Sequence, residues 1–264
     1  VQTYLVLHMN KPPFQDVRVR RAIFLAVDRQ ELTKIVRCVE SFGCFGSVGT
    51  FLPNKGGKIV ESPEDLAQTK GWRQPKTQDL AEAKALLAAA GYPNGFKATL
   101  NIGNPPNQIK QGEVVAEQLR RSLGVDFTVE PVDRATQVDR IIRETHHASF
   151  DSSGVIILDP ADYLNQHFLV IGGQKNPDSW KNPRLSEIIQ AQARELDAGK
   201  RLRLFKEAVE ILRGGESHVV PLSWGSSGGM MDYRLQNFHV PGSEQIVKQF
   251  EHVWWDPDAP MPKN

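Results

Sequence analysis

An excess of charge of either sign, cysteine and long apolar runs are all scarce in this 264-residue chain. Its 32 Lys and Arg nearly cancel its 31 Asp and Glu, leaving a formal net charge of +1. A protein that neutralises phosphates needs a basic surplus, so no electrostatic case exists for nucleic acid as a partner. No apolar run approaches the roughly 20 residues that a membrane-spanning helix needs. The first residues lack a basic stretch followed by a continuous apolar core, so no signal peptide is expected within them. Only two cysteines occur, Cys38 and Cys44, with five residues between them. Two readings stay open: buried thiols packing as small hydrophobes, or a disulfide closing a small loop in an oxidising compartment. Without nearby histidines the pair is a poor zinc site. Gly57-Lys58-Ile59 lacks the spacing of a phosphate loop, and no cofactor is expected.

What the chain does carry is well-punctuated secondary structure. Tyr4–Met9 is mostly apolar and reads as a strand covered on both faces. Lys11-Pro12-Pro13 stops it, since neither proline can donate to a ladder. Asp16 stands where an N-cap belongs, ahead of a helix over Val17–Val27 with Val19, Ile23 and Ala26 on its apolar stripe. Asp28 starts a second helix, with Glu31 three residues on, a capping-box spacing. Residues 41–76, rich in Gly, Pro and Ser, read as a long surface loop. A helix over Leu80–Ala90 follows, capped by Thr77 or Asp79 and ended by Gly91.

Beyond Gly95 the pattern is strand, helix, strand, helix, strand. Lys97–Ile102 and Val125–Val132 alternate as strands, and Ser149–Leu158 makes a third. The helices between them are expected over Gln108–Leu123 and Ala135–Thr145. Two consecutive crossovers of this length imply parallel strands wound right-handed in one sheet, so the class is α/β. Asn182 and Asp197 cap two amphipathic helices, Arg184–Leu196 and Ala198–Arg213. His218–Trp224 is a further strand, and Met231–Trp255 reads as β-rich.

Three blocks, in order, resemble the family 5 extracellular solute-binding proteins, the peptide-, dipeptide- and nickel-binding receptors of ABC importers. They are FQDVRVRRAIFLAVDRQEL near the start, AEAKALLAAAGYPNGF, and NPRLSEIIQAQARELDAGKRLRLFKEAVEIL. The resemblance implies a type II periplasmic-binding-protein-like α/β lobe with a parallel or mixed sheet flanked by helices. Residues 1–10 would be a first hinge strand, 11–217 lobe II, 218–225 a second hinge strand, and 226–264 a β-rich segment returning to lobe I. The chain then looks like a C-terminal half, with lobe I of the same protein as its missing partner. The implied function is capture of a peptide or other small polar solute between two lobes, followed by delivery to permease subunits in the membrane. The implied location is periplasmic or extracellular. Without lobe I, weak or no ligand binding is expected, and Phe238, Phe250, Val253 and Trp254 are expected to expose apolar surface.

Candidate ligand-binding residues follow from strand ends and hinges. In an open α/β sheet, ligands sit beyond the carboxyl ends of strands, which points to Ile157, Leu158 and Asp159. The resemblance implies a carboxylate there that pairs with a ligand ammonium. This chain departs from the pattern, with apolar Val155–Leu158 where a Trp is expected, and Asp159 before Pro160 also suits a helix cap. Ser223 and Trp224 end the second hinge strand, where the indole could stack on a ligand or pack between lobes. Met9 and Asn10 leave the first, where Asn10 could meet a ligand or tie down the Pro-Pro turn. Adjacent His146 and His147 do not converge as metal ligands, and no metal site is expected. The competing enzymatic reading is a serine hydrolase built on Ser227 in Gly225-Ser226-Ser227-Gly228-Gly229, with Asp232 and His252 downstream. A nucleophile elbow must open a helix, and the sequence after it reads as strand. The chain is therefore expected not to be an enzyme.

Overall fold

The computed structural model describes residues 1–39, 43–44, 46–51, 63–154, 159–169, 176, 180–225, 232–238 and 250–259. A mixed sheet organises them. Its strands are β1 (Gln2–Leu7), β4 (Gly46–Ser47), β5 (Lys97–Gly103), β6 (Asp126–Val132), β7 (Ala148–Ser153) and β8 (Val219–Gly225), in the order β4-β8-β1-β7-β5-β6. β5 runs parallel to both β6 and β7, as two crossovers require, and β1 is antiparallel to both β7 and β8. Every residue of β1 is buried, which matches its lack of alternation.

The crossover helices lie on opposite faces. α5 (Pro106–Leu123) covers the face of Leu100 and Ile102, where a Cβ on Gly112 would meet Ile102 Cδ1 at 2.5 Å. α6 (Arg134–Ile142) covers the other face, where Gln137 O accepts from Asn101 Nδ2 at 3.0 Å. The caps read from sequence close their helices. Asp16 accepts from Arg18 N ahead of α1 (Val17–Ala26), and Asp28 from Gln30 N and Glu31 N ahead of α2 (Arg29–Arg37). Asp133, Asn182 and Asp197 do the same for α6, α8 (Pro183–Gln192) and α9 (Ala198–Arg213).

Several expectations need correction. The third parallel strand is β7, Ala148–Ser153, ending where Gln2 of β1 faces Ser153, and Val155–Leu158 of the expected span lie outside the described residues. The helix expected from Leu80 is α4 (Thr77–Ala89), and neither Thr77 nor Asp79 caps it. Asp79 is instead buried in the first turn, accepting from Gly71 N at 3.0 Å and Lys76 Nζ at 2.9 Å. The supposed loop over 41–76 contains α3 (Pro63–Gln68), β4 and β3 (Gly43–Cys44); β3 pairs with β2 (Cys38–Val39), which lies just ahead of the segment, and Cys38 and Cys44 are bonded to each other. The β-rich tail reduces, among the described residues, to one pair, β9 (Leu235–Gln236) with β10 (Trp254–Trp255).

One buried cation ties these layers together. Arg29 is 2% exposed and donates to the carbonyls of Phe24, Val27, Gly71 and Pro221. Its guanidinium lies 4.4 Å from the Trp72 ring centroid, and burial pushes its pKa down to about 9 against the pull of Asp79. A charge removed from water in this way leans on the four carbonyls that Nε and Nη1 reach, while the buried Nη2 makes no hydrogen bond among the described residues.

Candidate functional site

The chain reaches and leaves the sheet at one edge. Val1 N donates to Gly225 O at 2.9 Å and Gly225 N to Val1 O at 2.7 Å, so the start of β1 and the end of β8 lie side by side. The carboxyl end of β7 is at the same edge, since Gln2 faces Ser153 and Trp224. β5 is the topological switch point: the chain passes from it to β6 on one side, then returns across it to β7 on the other. Ligands of open α/β sheets bind outside the carboxyl ends of strands at such a point.

A polar network fills the face beneath that edge. Asp151, on β7, has a side chain only 1% exposed. Its Oδ1 accepts from Arg134 Nη1 and lies 2.8 Å from Ser152 N, and its Oδ2 lies 3.4 Å from the donating hydroxyl of Tyr4. Burial, followed by the Asp151 carboxylate, drives the Tyr4 phenol well above its ordinary pKa. Gln137 is fully buried, accepts from Arg134 at 2.8 Å and donates to Phe150 O at 2.6 Å. Further from the edge, His8 Nε2 is paired with Ser149 Oγ at 3.0 Å. Burial and the neighbouring Lys11 lower that imidazole to about 4, so it is neutral at pH 7. The arrangement can fix a guanidinium at the rim and recognise a polar group by charge-assisted hydrogen bonds.

The residues singled out from sequence are placed in three different settings. Asp159 caps α7 (Pro160–Leu164) through Ala161 N at 2.9 Å, and Arg201 Nη2 reaches both its oxygens at 2.7 Å. Ile157, Leu158 and Ser227 lie outside the described residues. Ser223 and Trp224 are at the shared edge but turn inward. The Ser223 hydroxyl meets Thr3 Oγ1 at 3.0 Å, and Trp224, 6% exposed, donates to Thr50 O. Met9 and Asn10 follow the opposite end of β1, roughly 20 Å along the strand from Thr3. Asn10 there donates to both oxygens of Glu144 at 3.2 and 3.0 Å. Asp232 is paired with Arg234, which holds its carboxyl at about 2, and shares no hydrogen bond with His252. His146 is engaged by Glu130, Arg140 and Thr145, and no cluster that could hold a metal ion occurs among the described residues. No helix among them is long and apolar enough to cross a membrane.

Sequence reasoning missed Arg134, Asp151 and Gln137. A usable signal existed: Asp133-Arg134 follows the second parallel strand directly, where the switch-point rule places ligands.

Residues 1–174 match the description of the bacterial extracellular solute-binding proteins, family 5 Middle. The chain belongs to this family. Among its relatives, the periplasmic oligopeptide-binding protein OppA of Escherichia coli (strain K12) is 28% identical over 83% of this chain and 38% of its own length. The probable deoxycholate-binding periplasmic protein YgiS of the same strain is 26% identical over 83% of this chain and 39% of its own. Among solved structures, the Escherichia coli murein tripeptide binding protein MppA superposes with a TM-score of 0.77 at 21% identity, covering 90% of this chain and 45% of that one. That likeness shows the fold, a type II binding-protein lobe with a mixed sheet flanked by helices. The family 5 chain described here spans about two fifths of the length of these relatives.

Proposed function

We propose that this family 5 chain forms one lobe of the solute receptor of an ABC importer. The receptor takes a peptide or other small polar solute between two lobes and hands it to permease subunits in the membrane. The observation that carries the reading is the pairing of Val1 with Gly225 at the carboxyl edge of β7. Two chain crossings held side by side there form a natural pivot for closure over the switch point. The second lobe is proposed to come from polypeptide outside these residues, consistent with the share of each relative that is covered. The location is proposed to be periplasmic or extracellular, in keeping with relatives whose names include the word periplasmic, and the role to be binding rather than catalysis.

The test is titration calorimetry on the full-length protein with di- to pentapeptides and with deoxycholate. Micromolar or tighter binding, accompanied by compaction in small-angle scattering, is expected. Absence of binding to every probe, or esterase activity that disappears in Ser227→Ala, counts against the reading. The chain of 264 residues alone is expected to bind weakly or not at all, and tight binding by it would show that the second lobe is dispensable.

A further inference from the structure

Among the described residues, the rim presents a cation, Arg134, fixed at one nitrogen. Arg134 opens α6 just past the carboxyl end of β6, and its guanidinium reaches over the switch-point strand β5 to Asp151 on β7. Both contacts use a single nitrogen, Nη1, at 2.7 Å to Asp151 and 2.8 Å to Gln137. Each anchor is itself immobilised. Asp151 is held by Ser152 N and Tyr4, and Gln137 by Phe150 O. Nε and Nη2 have no hydrogen-bond partner among the described residues, and the side chain as a whole is 55% exposed although its anchor is buried. A guanidinium with one corner tied down and its remaining donors facing outward is set to grip a planar anion bidentately.

The carboxylate that sequence reasoning favoured does not compete for this role. Asp159 spends both oxygens on Arg201 and one on the backbone of α7. Asp133, next to Arg134, is turned to Thr136 N and Thr136 Oγ1. Val155–Leu158, which link β7 to Asp159, carry no charged residue.

We infer that Arg134 is a ligand-binding residue that recognises a carboxylate, so that the solute is read by its acid group through a cation rather than by its ammonium through Asp159. The inference rests on the receptor reading given above. The carboxylate could be a peptide C-terminus or that of a non-peptide organic acid, and the shared chemistry is the acid group.

The experiment uses the full-length protein and four variants: Arg134→Gln, Arg134→Lys, Asp159→Asn and the double Arg134→Gln/Asp159→Asn. Calorimetry measures Kd for trialanine and trialanine amide, and for deoxycholate and its neutral carboxamide, so that the two pairs separate peptide from non-peptide acids. For at least one acid, the wild type should lose about tenfold to a hundredfold in affinity on amidation. Arg134→Gln should weaken binding of that acid by the same factor while leaving its amide unchanged. Arg134→Lys should restore part of the loss, and Asp159→Asn should not distinguish acid from amide. Equal weakening of acid and amide by Arg134→Gln would reduce Arg134 to a structural role and overturn the inference. So would wild-type binding of the amides as tight as that of the acids, with the receptor reading left intact. Binding of none of the four probes would remove both.

Discussion

His8 should make this protein acid-sensitive in a window that can be worked out in advance. Its imidazole is fully buried after β1, paired with Ser149, and burial lowers it from 6.5 to about 4. The charged groups that bear on it are Lys11, His218, His146 and His147, all of which oppose a second positive charge. In the unfolded chain the same imidazole takes a proton near its ordinary value. The unfolded state therefore binds more protons as pH falls below 6.5. The stabilising contribution of neutral His8 is complete above that pH and is lost as pH drops through about 4. A pKa difference of this size corresponds to about 3 kcal/mol in full, and to about 2 kcal/mol by pH 5. Urea unfolding of the wild type and His8→Asn between pH 7.5 and 5 reads it directly. Asparagine keeps a partner for the Ser149 hydroxyl but cannot titrate. The stability advantage of the wild type should shrink by about 2 kcal/mol across that range. The His8 imidazole resonance, followed by NMR in the wild type, should still be neutral at pH 5. Parallel pH curves for the two proteins, or a resonance that titrates above pH 6, would refute the reasoning.

Three further perturbations follow from the packing. Arg29→Met strips donors from four buried carbonyls and should cost about 3–5 kcal/mol in urea unfolding, with Arg29→Lys recovering little because it lacks the planar fork. Gly95→Ala places a Cβ 2.1 Å from Gly124 O at a backbone φ of +80°, and should cost about 2–4 kcal/mol by the same assay. Replacing Cys38 and Cys44 together by Ser opens a short loop, and the chain-entropy relation gives a loss of about 2 kcal/mol, matched by reduction of the wild type and absent when the double variant is reduced.

What could be read without coordinates was local. Asp16, Asp28, Asp133, Asn182 and Asp197 were recognisable as caps, because a cap bonds a backbone N–H two or three residues away and its partner is supplied by the helix itself. The α/β class was equally legible, since two helical crossovers between strands of this length leave parallel pairing as the remaining geometry. Asp79 shows where such reading stops. It stands at a plausible cap position, yet its carboxylate turns back to Gly71 and Lys76 in the preceding turn.

Asp159 shows the same limit over a longer span, although the cap that Asp-Pro suggests is present at Ala161 N. Its neighbours predict a cap or a free ligand, and only the fold brings Arg201 from a separate helix onto both its oxygens. The carboxyl-edge site depends even more on the order of strands, which hydrophobic periodicity does not encode. Arg134 and Asp151 meet because β7 returns across β5, and Val1 meets Gly225 because β1 is seated between β7 and β8. Sequence alone therefore determined the elements, their caps and the family resemblance, all set by contacts within a few residues or by long matching blocks. The tertiary structure decided which charges are consumed by the fold and which remain exposed at the rim, because a counter-charge from a distant element is chosen only when the sheet assembles.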